Sequence, residues 1–181
     1  MKVNNFIFRL AMISSLLLLL AVSSFAQDVK YNYVHGTNFA SFKTYSWVTA
    51  PDQKVPNQIL DGQIKQAIDE QLALRGLRKI TEGMPDVYLI YQVAVDQQQQ
   101  WYSYSTGGGW WGWGGSSTTT SETINVGTLV LDMYDTSAKK MVWTGQATKQ
   151  LKPSNDPEKN LKNLKKAMAK LLKNYPPPVK K

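Results

Sequence analysis

The fold of this chain is decided by residues 86–96, which read DVYLIYQVAVD. Every odd-numbered position from Val87 to Val95 is apolar or aromatic, whereas the even-numbered positions mix apolar and polar residues. Because successive residues of a strand point to opposite faces, this spacing predicts a strand with one apolar face. The mixed second face favours a strand in the middle of a sheet or one covered by a helix.

Further strand signals lie on both sides of this segment. Alternating aromatic and β-branched residues predict five more strands, over residues 29–33, 42–48, 77–80, 127–134 and 141–147. Residues 135–139, which read DTSAK, have the composition of a tight turn. They predict that the last two strands form an antiparallel hairpin.

Two helices are predicted from apolar residues at helical spacing. The first covers about residues 57–75, and Gly76 is suited to the left-handed residue that ends a helix. The second begins at Asp156 as the cap and Pro157 as the first helical residue, and it stops before residues 176–178, which are all proline. The two apolar stripes consist of Leu60, Ile64, Ala67, Ile68 and Leu72, and of Leu161, Leu164, Met168, Leu171, Leu172 and Tyr175.

This order of elements predicts an α+β fold. We expect a mostly antiparallel sheet covered on one face by the two amphipathic helices. Residues 27–175 are expected to form a single domain, followed by a proline- and lysine-rich tail over residues 176–181. An apolar fraction of 43% is ordinary for a globular protein.

One segment, residues 97–125, has an unusual composition. Four glutamines lead into aromatic residues, then a glycine–tryptophan run, then a stretch rich in serine and threonine. We interpret it as an inserted hairpin that projects from the domain, with arms over residues 97–104 and 118–126. Exposed aromatic side chains on such a tip suggest a contact surface. The candidate binding residues are Trp101, Tyr102, Tyr104, Trp110, Trp111 and Trp113.

Three interpretations of these aromatic residues stay open. Their rings could stack on sugars of the cell envelope, or lie at a lipid interface, where tryptophan is favoured. They could also fold back and pack on the sheet, as aromatic clusters often do. The glycines are not a phosphate-binding loop, because neither a following Gly-Lys-Ser/Thr nor a dinucleotide fingerprint is present.

Residues 1–26 have the order of a cleaved secretory signal peptide. Lys2 and Arg9 are followed by an apolar run from Leu10 to Val22 and by small residues up to Ala26. The apolar run is shorter than the roughly 20 residues that span a membrane. We therefore expect a chain that starts near Gln27, has no transmembrane span, and is exported to the periplasm or the outer membrane.

The chain contains no cysteine, which excludes several classes of function. Thiol nucleophiles, thiolate zinc sites and iron–sulfur ligation all require this residue. A lipid anchor attached to cysteine at the cleavage site is excluded as well. A domain of this size does not need disulfides for its stability.

The net charge of +8 belongs to the C-terminal part of the chain. Ten lysines and two acids follow Thr148, so this part alone carries +8, and residues 27–148 carry −2. The lysines of the second helix form either a solvated face or a surface for anionic lipid head groups. Nucleic acid is not an expected partner, because the chain is expected to be exported.

The sequence contains no recognisable catalytic constellation. His35 is the single histidine, and no nucleophile is spaced to pair with it, so neither a Ser-His-Asp triad nor a multi-histidine zinc site is expected. Asp86 and Asp132 could act as paired carboxylates in a glycoside or ester hydrolase, although such residues more often occupy turns and strand ends. A standard calcium loop is absent, and no cofactor is predicted.

Several segments, in their order along the chain, resemble the bacterial domain-of-unknown-function family DUF4136. They are residues 42–47 (FKTYSW), 85–91 (PDVYLIY), 127–132 (GTLVLD), 143–145 (WTG) and 156–158 (DPE). The resemblance implies an exported envelope domain of mixed α/β fold with no assigned activity and no catalytic residues. Many relatives resemble lipoproteins, and this chain departs from them because it lacks the modified cysteine.

Together these features predict a non-enzymatic binding or structural module of the cell envelope. Its expected partners are cell-wall glycan, anionic lipid or another envelope protein, contacted through the tryptophan-rich hairpin. Two alternatives are a carboxylate hydrolase and electrostatic docking by the lysine-rich helix.

Overall fold

The computed structural model describes residues 28–49, 56–105, 117–152 and 154–178. The predicted signal peptide lies outside these residues. The described chain forms one six-stranded sheet and two longer helices. The strands are β1 Asp28–Tyr33, β2 Thr44–Trp47, β3 Arg78–Lys79, β4 Val87–Ser105, β5 Ser117–Asp135 and β6 Lys140–Gln150, and the helices are α1 Gln58–Ala73 and α2 Pro157–Leu171.

Both helices lie where the sequence predicts them. The side chain of Asn57 caps α1 by accepting a hydrogen bond from the Leu60 N–H at 3.0 Å. Gly76 follows α1 with φ of +82°, the left-handed conformation that favours glycine. Asp156 caps α2, because one of its oxygens accepts the N–H groups of Glu158 and Lys159.

The strand order across the sheet is β1-β6-β5-β4-β2-β3. The β1–β6, β6–β5 and β5–β4 pairs are antiparallel, whereas β4–β2 and β2–β3 are parallel. The predicted turn at residues 135–139 joins β5 to β6. There one oxygen of Asp135 accepts the N–H groups of Ser137 and Ala138 and the hydroxyl of Ser137.

The prediction of a mostly antiparallel sheet is wrong, because the sheet is mixed. α1 lies in the connection between β2 and β3, and such a crossover returns the chain to the same end of the sheet, so the second strand runs parallel to the first. The chain then reverses near Gly83 and adds β4 on the other side of β2, again parallel. The sequence predicts each of these elements, but local patterns do not show which strands pair, and β3 has only two residues.

The core lies between the two helices and one face of the sheet. Alternate residues of β4 and β5 supply its sheet side, and the predicted helical stripes supply the other. The most buried of these side chains are Tyr45, Ile68, Leu72, Leu89, Tyr91, Leu131, Met133, Trp143, Met168, Leu171 and Leu172. On the opposite face of β4, Tyr88 and Ile90 are half-buried, whereas Gln92 and Ala94 are exposed.

Trp143 is the largest fully buried side chain, and it fits only because Gly145 is two residues further along β6. A Cβ atom on Gly145 would lie 2.9 Å from Cζ2 and Cζ3 of the Trp143 indole. Real Cβ atoms do not approach other carbon atoms so closely, so the ring occupies the space that a side chain would need.

We predict that Gly145→Val lowers the free energy of unfolding by at least about 1–3 kcal/mol, the usual cost of overpacking a core. Urea unfolding followed by tryptophan fluorescence measures it. The control is Gly62→Ala in α1, where a Cβ meets no other atom within 4 Å. That change is expected to raise stability by roughly 0.5–1 kcal/mol, since alanine favours a helix. Equal stability of Gly145→Val and the wild type would contradict the close packing of the Trp143 ring on Gly145.

Candidate functional site

β4 and β5 continue as a two-stranded ribbon beyond the rest of the sheet. They stay paired without interruption from Val87↔Asp135 to Ser105↔Ser117. β6 ends at Gln150, opposite Val126, so β5 has no third strand beyond that point among the described residues. The nine pairs from Gln97↔Asn125 outward therefore extend about 30 Å from the body.

Most described side chains of this ribbon are polar and exposed, and the exception is the half-buried Ile124. Gln97, Gln98 and Gln99 on β4 and residues 119–123 on β5 are all exposed. Trp101, Tyr102 and Tyr104 occupy backbone positions of β4 that pair with Ser121, Thr120 and Thr118. Trp110, Trp111 and Trp113 lie outside the described residues, so the glycine–tryptophan tip of the hairpin stays a prediction.

An apolar groove opens at the root of this ribbon, with a cavity volume of about 380 Å³. The sheet forms its floor through Val93, Leu129 and Ala147, and the walls are formed by the first two turns of α1 and the first three turns of α2. The remaining lining residues are Leu60, Ile64, Val95, Gly127, Thr128, Lys149, Gln150, Leu151, Lys152, Asn160, Asn163, Leu164, Ala167 and Met168.

The groove exists because coverage by the helices ends at this point. Along one face of β4, Leu89 and Tyr91 are fully buried, Val93 is half-buried, and Val95 is 59% exposed. Leu151, just after β6, is 40% exposed at the same end. The sequence places Val95 on the apolar face of the strand, but it carries no signal for where the helices stop along that strand.

Asp69, which the sequence places off the apolar stripe of α1, is bound to the sheet. One of its oxygens accepts the hydroxyl of Tyr45 at 2.8 Å and the indole N–H of Trp47 at 2.9 Å. The other accepts Lys79 Nζ at 3.2 Å. Burial, and then the neighbouring Asp69 carboxylate, raises the pKa of the Tyr45 hydroxyl. These bonds hold α1 on β2 and β3, which is a structural role.

The two candidate catalytic acids do not form a pair. Asp132 is aligned with Ile90, which is four residues after Asp86, so the two acids are separated by about 13 Å along the strand direction. Glycosidases place their two carboxyl groups within about 10 Å. Asp132 accepts the Thr144 hydroxyl at 2.6 Å and is only 9% exposed.

Asp86 joins two strands rather than facing a substrate. One of its oxygens accepts the backbone N–H groups of Lys43 and Thr44, each at 2.8 Å, and the Thr44 hydroxyl at 2.9 Å. The hydrogen bond from the Lys43 N–H lowers the pKa of Asp86 most, burial opposes it, and the bonds from the Thr44 N–H and hydroxyl add to the lowering, so the pKa lies below its usual value. A general acid needs the opposite, a raised pKa.

The remaining features noted in the sequence lie on the surface. His35 is exposed, and its ring lies 4.9 Å from that of Tyr33. The outer face of α2 and the turn that follows it carry five exposed lysines, Lys159, Lys162, Lys166, Lys170 and Lys173. Within the described residues, no group of three or more histidine, cysteine or acidic side chains could hold a metal ion. Neither described helix combines the length and apolar character needed to cross a bilayer.

Comparison with known proteins identifies a family and a related fold. The sequence profile of the family described as "Domain of unknown function (DUF4136)" matches residues 29–177. No curated protein sequence matches the chain.

Two solved proteins have similar structures. A PDZ domain protein from Parabacteroides distasonis ATCC 8503 aligns with a TM-score of 0.56 and 13% identity over 92% of this chain. The chain spans 40% of that protein's length. The PelC dodecamer from Paraburkholderia phytofirmans aligns with a TM-score of 0.49 and 13% identity, over 81% of this chain and 95% of PelC. At 13% identity, the likeness to the PDZ domain protein concerns the fold alone.

We predict that Asp86→Asn is less stable than the wild type by about 1–3 kcal/mol at pH 7, since charged hydrogen bonds are lost. The folded pKa of Asp86 lies below the unfolded value of about 3.9, so its contribution is present above that pH and is lost as the pH falls through the folded pKa. The stability difference between the two proteins should therefore shrink below about pH 4. Urea unfolding from pH 7 to pH 2 tests this, and a difference that does not change with pH would refute it.

Proposed function

The chain belongs to the DUF4136 family, and from that premise we propose that it is an exported binding protein of the cell envelope without enzymatic activity. It contacts envelope material through the glycine–tryptophan segment at the end of the β4–β5 ribbon. The candidate contact residues are Trp101, Tyr102, Tyr104, Trp110, Trp111 and Trp113.

Two observations support export. The leader-like residues 1–26 precede β1, which begins at Asp28, and the family match begins at residue 29. The folded domain therefore needs none of the apolar leader, and removal of that leader would leave all of its strands and helices intact. Without cysteine, attachment to the outer membrane would have to use protein or lipid contacts instead of a lipid anchor on that residue.

The observation that carries the binding role is the reach of the ribbon. Its nine outer pairs carry β4 and β5 about 30 Å beyond the three-stranded part of the sheet, up to Ser105 and Ser117, which the chain joins through residues 106–116. By sequence, this joining segment consists mostly of glycines and tryptophans, with three tryptophans among eleven residues. Indole rings offer large flat faces for sugar rings, and they are also favoured at the lipid–water boundary. A long polar arm with an aromatic end is suited to contact a surface that the body does not touch.

The described acids give no support to the alternative of a hydrolase. Asp86 accepts hydrogen bonds from backbone N–H groups at the start of β2, and Asp132 is buried beside Thr144 on a different strand. A hydrolase would need two carboxyl groups of different pKa around one open cleft. The binding role requires no such cleft.

The exposed lysines of α2 favour a second candidate function, docking to an anionic surface. Lys165 is bound to Glu70 at 2.8 Å, whereas the five lysines on the outer face are exposed to solvent. Each lysine near an anionic membrane contributes about 1 kcal/mol of attraction. This surface lies on the body, so it could act together with the ribbon or without it.

We predict that replacing Trp110, Trp111 and Trp113 together by serine weakens binding to cell-wall sacculi, to anionic vesicles or to both by at least tenfold. Each aromatic contact contributes roughly 0.5–1.5 kcal/mol beyond the area that it buries. Cosedimentation with sacculi and with vesicles of phosphatidylglycerol measures the two partners separately.

The control for this experiment replaces three exposed apolar residues of the body, Ile59, Leu74 and Met84, by serine. It replaces the same number of apolar side chains away from the ribbon and should leave binding unchanged. If the tryptophan variant sediments with both partners as well as the wild type does, the proposed contact is wrong.

We predict that Lys159→Gln, Lys162→Gln and Lys166→Gln together reduce binding to phosphatidylglycerol vesicles by about 100-fold if α2 docks there. Binding by the wild type should also fall steeply with added salt, because exposed charges are screened. Vesicle binding that neither salt nor these substitutions reduce would exclude the second candidate.

A further inference from the structure

The apolar groove at the root of the ribbon is a binding site that the proposed contact through the ribbon tip does not use. We propose that it holds one acyl chain of an anionic lipid, with the head group beside Lys149 and Lys152. Its volume of about 380 Å³ lies within the range of small-molecule sites, roughly 300–1,000 Å³.

The lining of the groove matches the apolar character of an acyl chain. Leu129, Ala147 and Met168 form a closed bottom, since each is less than one tenth exposed. Val95 and Leu151 stand at the opening and are 59% and 40% exposed. An acyl chain laid between them would remove these side chains from water and gain about 0.8 kcal/mol for each CH₂ that it buries.

The charge of the lining selects the head group. Among the described residues that line the groove, Lys149 and Lys152 are the charged ones, and no acidic residue is among them. Asn160 and Asn163 on α2 add neutral hydrogen-bonding groups to the same lining. A carboxylate or phosphate is attracted by two lysines, whereas a cationic head group is repelled.

The same features disfavour other occupants. An apolar peptide would bring backbone N–H and C=O groups that need partners once they are buried, and the floor of the groove is apolar. A second copy of the chain would bring its own Lys149 and Lys152 to the same mouth, if it docked symmetrically. An acyl chain has no polar groups to satisfy along its length.

Gly127 keeps the groove open at its floor. A Cβ atom on this residue would lie 2.8 Å from Cδ2 of Leu151, whose side chain leans over the bare backbone. Leu151 is part of the opening and can turn toward solvent. A larger residue at position 127 would therefore fill the space next to Leu151 and shorten the groove.

The experiment measures binding of cis-parinarate, a fluorescent fatty acid, to the purified protein. Val95→Glu places a negative charge at the mouth and should weaken binding at least tenfold. Met84→Glu makes the same kind of change at another exposed apolar residue, and it should bind as the wild type does. Gly127→Val should also bind at least tenfold more weakly, and because valine favours strands its circular dichroism and unfolding midpoint should remain those of a folded protein.

Head-group selection is tested by competition and by charge. Palmitate should displace cis-parinarate at least tenfold better than hexadecanol or hexadecylamine does. Lys149→Gln with Lys152→Gln should remove that preference, while hexadecanol competes as before. Equal displacement by the three amphiphiles would overturn the anionic head group.

Two further outcomes would overturn the site itself. One is equal affinity of Val95→Glu, Met84→Glu and the wild type for cis-parinarate. The other is a dimer in sedimentation that Val95→Glu dissociates, without binding of cis-parinarate by either protein, because the groove would then dock a second copy. Neither result depends on the tryptophan substitutions, so this inference and the proposed ribbon contact can fail separately.

Discussion

The helices are much shorter than the strands that they cover, and this difference in length determines where the groove and the ribbon lie. β4 and β5 have 19 residues each, which corresponds to about 60 Å of extended chain. α1 and α2 have 16 and 15 residues and are therefore only about 23 Å long. The helices cover the inner third of the two strands, the groove lies where that cover ends, and the ribbon is the part beyond it.

The covered part is held by more than apolar packing. On α1, Asp61 accepts the Tyr91 hydroxyl, and Asp69 accepts Tyr45 and Trp47. Each bond joins the helix to a side chain whose ring is part of the core, so the helix can neither slide nor rotate without leaving buried polar groups unpaired. This fixed position of α1 keeps the crossover in place and with it the parallel half of the sheet.

The sequence is sufficient to predict the helices and strands but not to predict which strands pair. Alternation in residues 86–96, the Asp156 cap and Gly76 each report on neighbours within a few residues, so the strand and both helices could be predicted. The parallel pairing of β2 with β4, the bonds from Tyr45 and Trp47 to Asp69, and the groove depend on residues more than 20 positions apart. Polar residues of α1 that look solvated by spacing are partners of the sheet, and a helical wheel cannot distinguish the two cases.

Stability alone does not account for the ribbon. Its described side chains are polar and exposed except for the half-buried Ile124, and none of them belongs to the core. A two-stranded ribbon is marginally stable in water, and its unpaired edges invite association. The ribbon and the groove also share one end of the body, the end at which both helices begin, whereas the opposite end is closed by Asp86 and by the turn at Asp135. Ordering the ribbon costs conformational entropy, and its described residues contribute nothing to the core. We therefore infer that the ribbon serves a function and that the functional contacts lie at this end of the molecule.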